Sequence, residues 1–180
     1  MIAPLRTLLA AALLAGSSSA LAQSGGPPAE IDTLFKSYEG SWKCETTFAP
    51  GALGPGSPET KAKAVVRIKK DFGGFWYRGE YEIKKAKNMP GFKAAFNLGY
   101  EPSTKSAVNV TFDSTGAAAI ETAAGATPEL VTFLGEGYMA GKKVKMRETM
   151  THKTANEVEH TSEVDMGMGF QKMGSDICKK

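Results

Sequence analysis

Two segments, Ala64–Phe72 and Phe75–Ile83, meet across Gly73-Gly74 so that every opposed pair of residues has the same index sum. Opposed residues of an antiparallel pair share a face. Here Ala64 meets Ile83, Val66 meets Tyr81 and Phe72 meets Phe75 on one face, while Arg67 meets Glu80 on the other. The glycines supply the positive φ that a two-residue hairpin turn demands. One register thus yields an apolar and a polar face, which predicts a β-hairpin with one side in a core.

The same arithmetic applies to two further stretches. Around a turn at residues 101–105 it joins Leu98 to Val108, Phe96 to Val110 and Ala94 to Phe112 inside, with Asn97 opposite Asn109 and Lys93 opposite Asp113 outside. Around Thr154 it joins Val144 to Val164, Met146 to Ser162 and Met150 to Val158 inside. Outside, Lys145 meets Glu163, Lys143 meets Asp165 and Arg147 meets Thr161, and the same register sets Glu148 directly opposite His160 on the inner face. Alternating segments bounded by Gly, Pro, Asn or Ser predict strands near residues 41–48, 61–72, 75–85, 92–100, 106–113, 117–123, 128–136, 142–151, 157–166 and 169–178. A helical period occurs once, where Ile31, Leu34, Phe35 and Tyr38 recur at i, i+3, i+4 and i+7. The expected fold is all-β: an up-and-down antiparallel barrel of about nine or ten strands behind one short N-terminal helix. A membrane barrel would carry its apolar band outside, whereas the outer positions here are Lys, Arg, Glu and Asp.

The first residues, MIAPLRTLLAAALLAGSSSALAQ, combine Arg6, an apolar run from Leu8 to Ala15 and the small-residue site Ala20-Leu21-Ala22. That pattern predicts a secretory signal over residues 1–22, cleaved before Gln23. The run is too short to span a bilayer, and Ser17 stands where a lipoprotein signal would place its cysteine. The expected organisation is a signal peptide (1–22), a flexible Gly/Pro-rich segment (23–30) and a single barrel domain (31–180), located in the periplasm or secreted. Cleavage removes only Arg6 among the charged residues, leaving 21 basic against 19 acidic side chains. So small an excess argues against nucleic acid or an anionic membrane as partner. The two cysteines, Cys44 and Cys178, lie in the first and last predicted strands, which become neighbours if the barrel closes. In an exported chain they are expected to form a disulfide.

A short helix leading into Gly40-Ser41-Trp42 resembles the opening of lipocalins and other calycins, whose tryptophan closes the narrow end of the barrel. Together with GGFWYRGEY from Gly73, LGYEPSTKSAVNVTFDSTG from Leu98 and GKKVKMRETM from Gly141, the chain looks like bacterial exported calycin-like proteins of unknown function. The resemblance implies a barrel with Trp42 at its closed end and carries no chemistry. Lipocalins usually cover that tryptophan with a late arginine. The last arginine here is Arg147, so Lys172 or Arg147 is expected to take the role, or the end is closed differently.

Interior candidates are Phe75, Tyr77, Tyr81, Phe96, Phe112, Met146, Glu148 and His160. If they line a cavity, they suit a small apolar or amphipathic molecule held without turnover. Two alternatives stay open. His160 with Met166, Met168 and Met173 could hold haem or copper(I), or Glu148 and His160 could form the acid/base pair of a small enzyme. No cofactor is expected, and with His152 and His160 as the chain's only histidines a multi-histidine metal site is excluded.

Overall fold

The computed structural model describes residues 25–85 and 89–180; the predicted signal peptide lies outside the described residues. The amphipathic stripe forms α1 (Ala29–Phe35), which begins two residues before Ile31 and runs into a 3-10 turn at Lys36–Tyr38. Ten strands follow: β1 (Gly40–Phe48), β2 (Thr60–Asp71), β3 (Trp76–Ile83), β4 (Phe92–Glu101), β5 (Ser106–Asp113), β6 (Ala118–Ala124), β7 (Leu130–Met139), β8 (Lys142–Thr154), β9 (Glu157–Asp165) and β10 (Phe170–Lys179). Each pairs antiparallel with its neighbours in sequence, and β1 pairs with β10 to close the barrel. Closure leaves no unpaired strand edge. Among the described residues no helix is long and apolar enough to cross a membrane.

The seam between β1 and β10 sets Cys44 directly opposite Cys178. The two form a disulfide, with Cα atoms 4.0 Å apart. At one end of the barrel, the apolar stripe of α1 and its 3-10 turn, Ile31, Leu34, Phe35 and Tyr38, is buried in the same core as Trp42, Tyr77, Leu98 and Phe133. Asp32 ties this plug down by accepting from Tyr77 Oη (2.8 Å) and pairing with Lys70 (2.6 Å). Trp42 Nε1 donates to the Tyr38 carbonyl at 2.7 Å. The cation over the Trp42 ring is neither Lys172 nor Arg147 but Lys180, whose Nζ lies 4.6 Å from the ring centroid and also donates to the Ser37 carbonyl. Arg147 instead forks onto Glu163 (Nη2 to Oε1, 2.7 Å) and stacks on Phe170.

Three sequence-based expectations need correction. The β2/β3 register is as expected from Ala64↔Ile83 to Arg67↔Glu80, but the ladder ends at Asp71↔Trp76. Phe72 to Gly74 form a 3-10 turn with Phe72 and Gly73 at positive φ. Phe72 and Phe75 therefore do not pair as strand residues. Phe75 is only half-buried and does not line the interior.

The second correction is a slip of one residue between β4 and β5. Glu101 pairs with Ser106 around a four-residue loop that ends at Lys105 in the left-handed region, so Leu98 faces Asn109 and Phe96 faces Thr111. A one-residue slip inverts a strand. Ala107 and Asn109 turn inward, while Val108 and Val110 turn outward and Phe112 stands 52% exposed. Phe112 nonetheless contributes to the cavity lining. Ile120, Leu134 and Tyr138 are also exposed, so the outer face of this sector is apolar, contrary to the expected charged exterior.

The third correction is a shift of two between β8 and β9. Glu148 lies opposite Ser162, and His160 opposite Met150, with a bulge at residue 153. Because side chains alternate with period two, this shift leaves every side chain on its expected face. Glu148 and His160 still meet, but diagonally.

Gly79 shows how finely the interior is fitted. A Cβ built there would overlap the far end of the Phe96 ring. Gly79→Ala is expected to push Phe96 into the barrel and cost about 1–3 kcal/mol through overpacking. Urea unfolding checks the cost, and an unshifted midpoint would refute it.

Candidate functional site

The inner faces of the strands enclose a cavity of about 330 Å³, within the roughly 300–1,000 Å³ of small-molecule sites. Its walls are mostly apolar and include Val66, Ile68, Phe92, Phe96, Leu98 and Phe133. They also include Tyr38 and Trp42, which form the floor above the helical plug. Of the residues singled out from the sequence, Tyr81, Phe96, Phe112, Met146, Glu148 and His160 line this space. Tyr77 is buried and faces inward, but its hydroxyl is spent on Asp32 beneath the floor.

One side of the cavity is polar. His160 lies opposite Asp176 across β9 and β10, and Asp176 lies opposite Thr46 across β10 and β1. His160 Nδ1 is 2.9 Å from Asp176 Oδ2, and Nε2 is 2.7 Å from Glu148 Oε2. Ser162 Oγ donates to Glu148 Oε1 at 2.8 Å. Thr46 Oγ1 and Tyr81 Oη both lie against Asp176 Oδ1, and against each other at 2.7 Å. The row thus runs from Ser162 through Glu148, His160 and Asp176 to Thr46 and Tyr81.

The electrostatics follow from this packing. Burial alone would lower the His160 pKa, but hydrogen bonds and charge from Asp176 and Glu148 outweigh it and push it up to about 10. The imidazole is therefore a cation at neutral pH, donating through both ring nitrogens. About a third of its side chain, 32%, remains accessible although protein surrounds it, because it borders the cavity. Burial would raise the Asp176 pKa, yet His160, Thr46 and Tyr81 hold it below the ordinary carboxylate value. Burial and the Asp176 charge push the Tyr81 phenol well above its usual range, so it remains a neutral donor.

A second polar pair adjoins the first. Glu121, fully buried on β6, accepts from Asn109 Nδ2 at 2.9 Å. Burial and the Glu148 charge raise the Glu121 pKa to about 7, against smaller opposing effects of Asn109 and His160. Glu121 Oε1 and Asn109 Oδ1 are buried without a hydrogen-bond partner.

Asp176, Glu121 and Asn109 were not singled out from the sequence. Asp176 was detectable, since it stands two residues from Cys178 and therefore shares its inward face. Asn109 and Glu121 were concealed by the one-residue slip in β5. Among the described residues, no group of three or more His, Cys, Asp or Glu side chains is arranged to hold a metal ion. Met166 and Met168 are exposed, in the turn before β10.

The family described as "Protein of unknown function (DUF1579)" matches residues 27–174, most of the chain. No curated protein matches it.

Proposed function

The chain belongs to this family of proteins of unknown function, and from its cavity we propose that the protein is a calycin-like carrier that binds one small amphipathic molecule inside its barrel without turning it over. The observation that carries this reading is a mostly apolar cavity of about 330 Å³ with a charged row on β8, β9 and β10, closed at one end by the floor of Trp42 and Tyr38. The helix before Gly40-Ser41-Trp42 and the hairpin connectivity agree with a calycin-like barrel. The Cys44–Cys178 bridge fits an oxidising compartment, in line with the periplasm or export.

The polar side supports binding over turnover. A general base needs an available lone pair and a pKa near the working pH, and His160, cationic with both ring nitrogens committed, offers neither. For the same reason it has no lone pair to give to haem iron or copper.

The test is uptake of the uncharged fluorophore Nile red, followed by its enhanced emission, together with native mass spectrometry for co-purified molecules. One equivalent is expected to bind the wild-type protein. Ala94→Trp, which fills the cavity from β4, is expected to abolish uptake while the disulfide and the far-ultraviolet circular dichroism persist. Equal uptake by the filled variant would exclude interior binding.

A further inference from the structure

We infer that the ligand's polar end is a hydrogen-bond donor carrying positive charge, an alkylammonium group, and that it docks against Glu148. This rests on the interior-binding reading and adds the chemical class of the cargo. The first observation is the charge of the wall. The charged residues lining the cavity are Asp113, Glu148, His160 and Asp176, and none of the described lining residues is Lys or Arg. His160 neutralises at most one of the two carboxylates it bridges, so the polar side keeps an excess of negative charge.

The second observation is independent of charge. The donors of the polar row are already committed: both His160 ring nitrogens, Ser162 Oγ, Thr46 Oγ1 and Tyr81 Oη. Acceptor capacity remains, because each Glu148 oxygen has taken one hydrogen bond and can take a second. A ligand that supplies N–H groups takes up that remaining capacity. A carboxylate ligand would instead bring more acceptors and a like charge to a wall with no free donor among these groups. An ammonium also gains the strength of charge-assisted hydrogen bonds.

The experiment uses three probes that share one tail, decylamine, decanol and decanoate, each displacing Nile red from the full chain at neutral pH. Decylamine is expected to bind about tenfold or more tightly than decanol, with decanoate weakest. Glu148→Gln should shrink the preference for amine over alcohol. The wild-type series stands even if a variant fails to fold. Decanol matching decylamine, or decanoate binding as well as either, would overturn the ammonium assignment and leave interior binding intact. Failure of all three to displace Nile red would overturn the ammonium assignment, whereas interior binding falls only if Nile red itself is not taken up.

Discussion

Cys44→Ala/Cys178→Ala is expected to cost the barrel about 5 kcal/mol in the chain-entropy limit. The bridge spans a sequence separation of 134 residues, and removing it frees nearly the whole barrel in the unfolded chain. A typical domain has about 5–15 kcal/mol in all, so the variant should sit at the margin of folding. Urea unfolding of the oxidised protein, the dithiothreitol-reduced protein and the double variant measures the effect. The last two should coincide, both well below the first. An unchanged midpoint after reduction would mean that the seam is held by its β-ladder and side-chain packing alone.

Replacing His160 should be nearly as damaging, for a different reason. His160→Leu leaves Glu148 and Asp176, 12% and 10% exposed, without the cation that bridges them. Breaking a buried ion pair by removing one partner costs about 3–5 kcal/mol. The pH dependence identifies the cause. The His160 pKa is raised from 6.5 to about 10 in the folded state, so its contribution is complete below pH 6.5 and is lost as pH rises towards 10. Glu121, raised from 4.5 to about 7, acts in the same direction over its own interval: the fold loses stability as pH climbs from 4.5 to 7. Asp176 is depressed below 3.8, so its contribution is present above that value and disappears in acid. Together these place the stability maximum in mild acid, between about pH 4 and 5. Denaturant midpoints across pH 3–10 should show it. Glu121→Gln should flatten the fall between pH 4.5 and 7, and His160→Leu the fall above 6.5. A wild-type maximum above neutrality would contradict the buried-cation account.

The hairpins were legible because strand alternation reports faces directly. At Gly73-Gly74 the register held, although the turn is a 3-10 turn over Phe72–Gly74 and not the expected two-residue one. Around Thr154 the loop was misjudged by the bulge at residue 153, yet the shift of two preserved the faces, and Glu148 and His160 still met. The failure at β5 has a clear physical cause. Val108, Val110 and Phe112 form an alternating apolar set that looks like a core face, but the barrel turns it outward, beside Ile120 and Leu134, and buries Asn109 against Glu121. Hydrophobic pattern alone cannot say which face of a strand is inside when both faces carry apolar residues. Its partners across the barrel decide, and those depend on a four-residue loop with Lys105 at positive φ.

The disulfide and the polar row occupy adjacent rungs of one seam. Cys44 and Thr46 are two residues apart on β1, as are Asp176 and Cys178 on β10, so all four side chains face inward. Oxidation therefore does more than lengthen the lifetime of the fold. It fixes the spacing of the strands that present Asp176 to Thr46 and His160, and so completes the acidic wall.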